Sequence, residues 1–543
     1  MILTYVPWLA ASAIAGVAAH YGLFIRGEWH LCVPKIVFGH IALACVVWSL
    51  IPNVSHNQAD HLRVCASTFA CYLGSLFSSI AIYRLFFHRL RQFPGPKLAA
   101  VTKFWHVFAA RSSTNYLVMQ KLHEKYGKLV RTGPNEITIF HPAAVELLDG
   151  AKNKNIKDAW YDVLQPRTST IFTRDEDDHK DRRQVWSYAI STKSLNEYTP
   201  RLLNLVEALV QCIGKYGSKP MKVNDVMSWF SFDAMGEFAF SEDFGMMKTS
   251  KWNPVVERQQ RALALLAPLN DTIWLVRAAF SFVPFLGKVK DWMDMVSFCD
   301  ERMEKRMKSS VDKLDMASWF INEFHQLSSE RSLQSRKNLL SGNTISVIVA
   351  GSDTTRATLI STWYFLAKYP EHAEKVLSEL HNVDETDANG LALLPHLNGV
   401  INETLRLVPP QMTGGGRITG PEGLWVDDIW IPGGTKVTAP KYVISRLPAA
   451  FEQPNEFIPE RWYSRPELIH DKRAFGPFTV GNRQCVGKNL ALVELRLVTA
   501  IILKRYKVSF APDHDPDSLM RNLKDQVTAQ PGECWCIFEP RDA

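Results

Sequence analysis

Three long stretches without a charged residue lie within the first ninety positions, and they limit what this chain can become. Residues 1–25, 36–59 and 64–83 contain no Asp, Glu, Lys or Arg. A bilayer core takes about 20 residues of apolar helix to cross. Lipid offers nothing to backbone N–H and C=O groups, so a lone spanning segment has to be helical. The first and third stretches are long enough, and the second is strongly apolar only to about residue 51. The reading is an anchor over residues 1–88 with transmembrane helices near 4–25, 36–52 and 64–83. One or two spans, with the remainder in the interface, is the alternative. A cleaved signal peptide fits less well, because no basic residue precedes the first run and the run is longer than a signal core.

Arg84, His88, Arg89, Arg91 and Lys97 follow the third stretch, and basic flanks mark the cytosolic side of a span. Three spans then place Met1 in the lumen, together with the 53–60 loop and its Asn53-Val54-Ser55 glycosylation sequon. The endoplasmic reticulum membrane, with the remainder of the chain facing the cytosol, is the expected location. Residues 89–98 end in Phe93-Pro94-Gly95-Pro96-Lys97-Leu98. Proline fixes φ and lacks a donor, so this segment cannot prolong a membrane helix and reads as a stiff basic, proline-rich hinge.

Residues 99–543 contain no repeat, low-complexity tract or second linker. Helical spacing of apolar residues dominates from 201 to 369, with breaks expected near Pro254, Pro268 and Pro284. Short strand-like runs occur near 136–140 and 423–440. The expected fold is one large, mainly α domain with small β-sheets. A net charge of +7 with 22% charged residues is ordinary. No basic run interleaved with aromatics points to nucleic acid, whereas an anionic membrane or an acidic protein partner suits the mild excess. The nine cysteines are odd in number and scattered, which does not describe a disulfide framework. Cys534 and Cys536 are too close for the usual zinc pair and read as alternation in a late strand.

The most informative segment is Phe478-Thr479-Val480-Gly481-Asn482-Arg483-Gln484-Cys485-Val486-Gly487. A cysteine that ligates iron must be a thiolate, with donors nearby and shelter from water. Gly481 and Gly487 permit tight turns and a close approach to a flat macrocycle. Arg483 offers a charged fork to a carboxylate, and Phe478 can pack beside the sulfur. Residues 488–503 have helical periodicity, so Cys485 would sit near a helix N-terminus, whose dipole favours negative charge.

This segment resembles, without departure, the Phe-x-x-Gly-x-Arg-x-Cys-x-Gly haem loop of the cytochrome P450 family. The resemblance implies a cytochrome P450 fold, haem b, and Cys485 as the axial iron ligand. Further motifs follow in the family's order. Glu403 and Arg406 share a helix face, and Phe457-Ile458-Pro459-Glu460-Arg461-Trp462 resembles the Pro-Glu-Arg segment. The resemblance makes Glu403, Arg406 and Arg461 a buried charge network that holds the haem loop. Ala350-Gly351-Ser352-Asp353-Thr354-Thr355 lies in a helical stretch from about 339 to 369, where a glycine costs about 1 kcal/mol against alanine. It resembles the family's acid–alcohol pair, with Thr354 holding oxygen and water and Asp353 relaying protons. The plain alternative is a hydroxyl bonded back to the preceding turn.

His179 and Arg183 stand where family members carry Trp-x-x-x-Arg, and Arg417 resembles a further propionate arginine. Substrate contacts are expected from 348–350, from Met412 and Thr413, and from 527–529, with extra room at 414–416. A medium-to-large apolar substrate follows. The segments 402–423 and 488–491 are similar to fungal members that tailor alkaloid, polyketide or terpenoid scaffolds. The implied reaction is insertion of one atom of O2, with NADPH acting through a separate cytochrome P450 reductase and cytochrome b5 as an optional second donor. No dinucleotide fingerprint is present in the sequence. Arg483, Lys488 and Arg496 are candidates for an acidic reductase face. A haem-thiolate isomerase or dehydratase that does not use O2, and a non-catalytic membrane haem protein, are the alternatives.

Overall fold

The computed structural model describes residues 6–51, 58–309 and 313–541. The apolar stretches form helices over Val6–Phe24, Val33–Leu50 and Gln58–Phe87, each long and apolar enough to cross a membrane. The third begins at Gln58, ahead of residue 64. Asp60, His61 and Arg63 carry the helix past its apolar part, since helix formation needs only backbone bonds and apolarity is the demand of lipid. Its last turn, Tyr83–Phe87, is a π-turn. Gly16 brings the first and third helices into backbone contact. A Cβ there would stand 2.0 Å from Ser75 Oγ and 2.4 Å from the Tyr72 carbonyl oxygen, so only glycine allows this approach. Asn53 lies outside the described residues.

The hinge is docked. Arg131 N–H donates to the Pro94 carbonyl at 2.7 Å, and a Cβ on Gly95 would meet the Arg131 carbonyl oxygen at 2.3 Å. Arg131 belongs to the edge of a five-stranded sheet. Its strands run in the order Leu129–Gly133, Glu136–Ile139, Lys436–Thr438, Arg417–Ile418 and Ile156–Lys157. Only the pairing of Glu136–Ile139 with Lys436–Thr438 is parallel. The run near 423–440 thus resolves into Leu424–Val426, Ile429–Ile431 and Lys436–Thr438.

The domain is built around the central helix, Leu333–Lys368, in which almost every side chain from Leu339 to Leu366 is buried. A helix buried all round has no apolar stripe. Ser332 caps its start by accepting from Ser335 N–H, and Pro370 follows its end. Helix Val223–Phe240 packs along it. Gly351 makes this possible, because a Cβ there would stand 2.6 Å from Met235 Sδ. That glycine therefore has a packing reason as well as a place on the cavity wall. Helices Pro395–Leu407 and Lys488–Arg505 complete the frame of the site. Pro254 opens helix Pro254–Leu269, Pro268 sits in its last turn, and Pro284 lies between Ile273–Phe282 and Gly287–Lys308. Cys534 and Cys536 are both buried beside strand Trp535–Pro540 with Trp535 half-buried between them, and all nine cysteines are unbridged.

Candidate active site

The haem-loop segment folds as a turn that closes on itself. Cys485 N–H donates to the Phe478 carbonyl at 2.8 Å, and Thr479 Oγ1 donates to the Arg483 carbonyl at 2.9 Å. Gly481 has φ of +66°, and a Cβ there would lie 2.2 Å from the Asp149 carbonyl oxygen. Glycine is required here by the protein backbone. Gly487 differs: its nearest neighbour is Cys485 Sγ at 3.9 Å, and both residues line one large internal cavity. Helix Lys488–Arg505 starts directly after Gly487. Cys485 is exposed, and its exposed face belongs to that cavity. Burial among protein atoms pushes its thiol up, opposed by the amides of Gly487 and Lys488 and by the charges of Arg183 and Lys441.

Phe478, His179, Arg183, Arg417 and Arg483 also line the cavity, joined by Lys157 and Lys441. Arg183 Nη1 donates to the Gln484 carbonyl at 2.5 Å, tying helix Glu176–Ala189 to the cysteine turn. Arg417 Nε reaches Asp149 Oδ1 at 2.7 Å, and its Nη1 reaches Tyr161 OH at 2.8 Å. Arg483 Nη2 donates to the Asn155 carbonyl at 2.7 Å and pairs with Glu176, while its buried Nε has no partner among the described residues. Arg182, one residue from Arg183, turns away to pair with Glu323 and is buried.

These cations repel one another. Burial, then the charges of Lys157, Arg483, Arg183 and Arg417, push His179 down to about 4. Burial, with Arg417 and Arg483, holds the Lys157 ammonium well below its ordinary range. Lys441 falls to about 8 for the same leading reason, burial. Two acids line the cavity among the described residues, Asp149 and Glu494. Burial raises Glu494 to about 8, while Asp149 pairs with Arg417 and Glu176 pairs with Arg483 from outside the lining. A buried positive excess beside a cysteine, with an unsatisfied guanidinium nitrogen, fits a flat anionic macrocycle that brings two carboxylates. Haem is such a group, and Cys485 would hold its iron. Lys157 and Lys441 carried no sequence signal, because no local pattern marks a lysine that packs into a cation cluster.

Thr354 and Thr355 line the cavity from the central helix. Thr354 Oγ1 donates back to the Ala350 carbonyl at 2.8 Å, which is the plain arrangement, yet its oxygen stays available to a second partner. Asp353 is not on the cavity wall. It is fully buried, accepts from Arg356 Nη2 at 2.7 Å and Nε at 3.1 Å, and accepts from Gln530 Nε2 at 2.9 Å and from Thr528 Oγ1. Adjacent helix residues point in different directions, so Asp353 and Thr354 cannot face the same space. Asp353 reaches the cavity through Thr528, which does line it.

The Glu403, Arg406 and Arg461 network is closed. Glu403 accepts from Arg406 Nε and Nη2 at 2.9 and 2.7 Å, from Arg461 Nε at 2.9 Å, from Trp462 Nε1 at 2.9 Å and from Ile458 N–H at 3.0 Å. Arg406 also donates to the carbonyls of Ser445, Pro454 and Glu456. Of the expected substrate contacts, Val349, Ala350, Val527 and Thr528 line the cavity, while Ile348, Met412, Thr413 and Ala529 do not. Met412 is core, and Thr413 bonds Asn115 and Asp525. Gly414 and Gly415 line the space, but Gly416 is small because a Cβ would strike Asp158 Oδ2 at 2.6 Å. Sequence reasoning missed Trp160, Tyr161, Phe172, Leu263 and Leu266 on the wall. Arg496 is half-buried and donates to Asn398 Oδ1 at 2.7 Å, Arg483 points inward, and Lys488 Nζ lies 6.0 Å from the centre of the Phe478 ring.

Comparison with known proteins agrees with this geometry. The chain is 34% identical over 522 residues to tryprostatin B 6-hydroxylase of Aspergillus fumigatus, covering 94% of this chain and 92% of that protein. It is 33% identical over 528 residues to the cytochrome P450 monooxygenase notG' of Aspergillus versicolor, covering 95% and 94%. The crystal structure of the cytochrome P450DA heme domain superposes with a TM-score of 0.66 at 20% identity, covering 80% of this chain and 95% of that one, a likeness of fold. The family model described as Cytochrome P450 matches residues 94–536, and the chain belongs to the cytochrome P450 family.

Proposed function

We propose that this chain is a membrane-anchored haem-thiolate monooxygenase that inserts one oxygen atom of O2 into an apolar secondary metabolite of medium to large size. The observation that carries the reading is a single cavity lined at once by Cys485, Thr354 and the buried cations Lys157, Arg183, Arg417, Lys441 and Arg483. When bound, haem on a thiolate supplies activation of dioxygen for insertion into a C–H bond. The chain supplies the rest. Cys485 would hold the iron, with the Gly487 and Lys488 amides and the neighbouring cations favouring the thiolate. Arg183, Arg417, Arg483 and His179 would take the propionates, with Lys157 and Lys441 beside them. Thr354 would hold water and oxygen, and Asp353 would hold protons for it through Thr528. Glu403, Arg406 and Arg461 keep the cysteine turn in register from behind.

Apolar side chains such as Phe172, Leu263 and Leu266 exclude water and suit an apolar substrate. Relatives named for hydroxylating tryprostatin B support a bulky fungal metabolite as substrate. Residues 1–88 serve as the anchor, 89–98 as the hinge and 99–543 as the catalytic domain. Electrons come from a separate NADPH-cytochrome P450 reductase, with cytochrome b5 as an optional donor. The enzyme sits in the endoplasmic reticulum membrane with its catalytic domain in the cytosol. The turn between the first two spans touches the catalytic domain through Glu28 and His30, which supports three spans with that turn cytosolic.

The test is turnover in microsomes of a fungal host expressing the chain, supplied with extracts of candidate metabolites under 18O2. Product carrying one 18O atom, formed only with NADPH and reductase, is expected. Turnover without reductase and oxygen would establish an isomerase or dehydratase instead.

A further inference from the structure

The turn between the first two anchor helices does not end at the membrane. Glu28 takes both terminal nitrogens of Arg174, at 2.6 and 2.9 Å, and His30 Nε2 lies 2.8 Å from Asp162 Oδ2. Trp29 Nε1 donates to the Arg26 carbonyl at 2.8 Å and closes the turn. On the catalytic side, Arg174 reaches Asp162 Oδ2 at 2.7 Å and donates from Nε to the Lys157 carbonyl at 2.9 Å. Arg277, from helix Ile273–Phe282, donates to the Asp162 carbonyl at 2.7 Å. Asp162 and Arg174 bracket Val163, Thr170, Ile171 and Phe172, and Tyr161 precedes Asp162; all five line the cavity.

The two contacts differ in shelter. The Arg174 and Glu28 side chains are 18% and 45% exposed, while those of His30 and Asp162 are 9% and 8% exposed. Solvent and salt screen the outer pair more than the inner one. Hydrogen bonds from His30 and Arg174 hold the Asp162 carboxyl below its ordinary range against the cost of burial, as expected of an ion that stays charged between them. Among the described residues, the polar contacts of Glu28 and His30 with the catalytic domain end on Arg174 and Asp162, in the 157–174 segment that is also a wall of the cavity.

We propose that Glu28 and His30 are positioning residues. Acting through Arg174 and Asp162, they hold the 157–174 wall closed over a bound molecule, so the anchor takes part in ligand retention as well as in location. The proposal rests on the reading of this cavity as the haem and substrate pocket.

The experiment uses the full-length, haem-loaded enzyme in phosphatidylcholine–phosphatidylserine nanodiscs. Dissociation of clotrimazole, a bulky azole that coordinates haem, is followed by stopped-flow Soret absorption. The E28Q/H30A double variant should release clotrimazole about fivefold faster than wild type, the factor that corresponds to about 1 kcal/mol. Haem content and the reduced, CO-bound spectrum should stay unchanged, which a general loosening of the fold would not allow. E28D keeps the charge and should return the rate to within about twofold of wild type. A double variant that releases clotrimazole within about twofold of the wild-type rate would overturn the proposal. Absence of any azole-induced Soret shift in the wild type would instead overturn the reading of the pocket, and the proposal with it.

Discussion

Glu403 accepts five hydrogen bonds, three of them from buried guanidinium nitrogens, and the cost of losing it is calculable in kind. Arg406 and Arg461 are fully buried on either side of it. Glu403→Gln would leave two guanidinium groups sharing one neutral amide, a loss on the order of 3–5 kcal/mol. The expected outcome is a protein that purifies with little haem and unfolds earlier in urea. A variant that retains full haem would show that the network does not hold the loop. His396 carries a separate, pH-dependent part of stability. Burial pushes it down to about 4, with Nδ1 2.9 Å from Tyr463 OH and Nε2 3.2 Å from His372 Nδ1. Its pKa is depressed on folding, so the unfolded chain binds more protons. Its contribution is present above the unfolded value near 6.5 and is lost as pH falls toward about 4. His396→Phe should flatten the fall in thermal stability across that window. At this scale the sequence was legible where residue type and spacing suffice, as at Glu403 and Arg406. The direction of Asp353 was not legible. It depends on Thr528 and Gln530, far along the chain, reaching it across the fold.

Elements show the same division. The central helix was expected from about 339 and begins at Leu333, because a serine cap sets the start while apolar spacing reveals only the buried part. The anchor's third helix extends past its apolar run for a related reason. What sequence could not give is how the central helix meets the 157–174 segment. A Cβ on Gly342 would stand 2.0 Å from the Thr168 carbonyl oxygen. Around it, Ser346 Oγ lies 2.8 Å from Ser169 Oγ, and Arg167 Nε donates to Ser341 Oγ at 2.9 Å. Backbone cannot yield as a flexible side chain does, so Gly342→Ala should destabilise the protein by about 1–3 kcal/mol in chemical unfolding. Gly39, inside helix Val33–Leu50 with nothing within 4 Å of its would-be Cβ, is the control, and Gly39→Ala should cost no stability. Equal effects at the two sites would mean that helix and segment are not in the contact described.

For the whole molecule, the N-terminal helices meet the rest of the chain at the docked hinge, at the Glu28–His30 turn and where helix Val33–Leu50 packs against helix Ile273–Phe282. The three apolar helices were legible because lipid imposes a length and an apolarity that no soluble helix needs. The ionic joint was not legible, since Glu28 and Arg174 lie far apart in sequence and each reads locally as a surface charge. Three spans with a cytosolic turn put the N-terminus in the lumen. An epitope tag before Met1 should therefore resist protease in intact microsomes and be cleaved only after detergent. A tag cleaved in sealed microsomes would contradict the three-span arrangement.

All of these levels converge on Cys485, whose turn is braced by Arg183 and by Gly481 against Asp149. The most direct measurement is the absorption spectrum of the reduced, CO-bound protein. A Soret band at the long-wavelength position of a thiolate-ligated haem, lost in Cys485→Ser, is the predicted result. A wild-type band at the position of a histidine-ligated haem, or a thiolate band that survives Cys485→Ser, would contradict it.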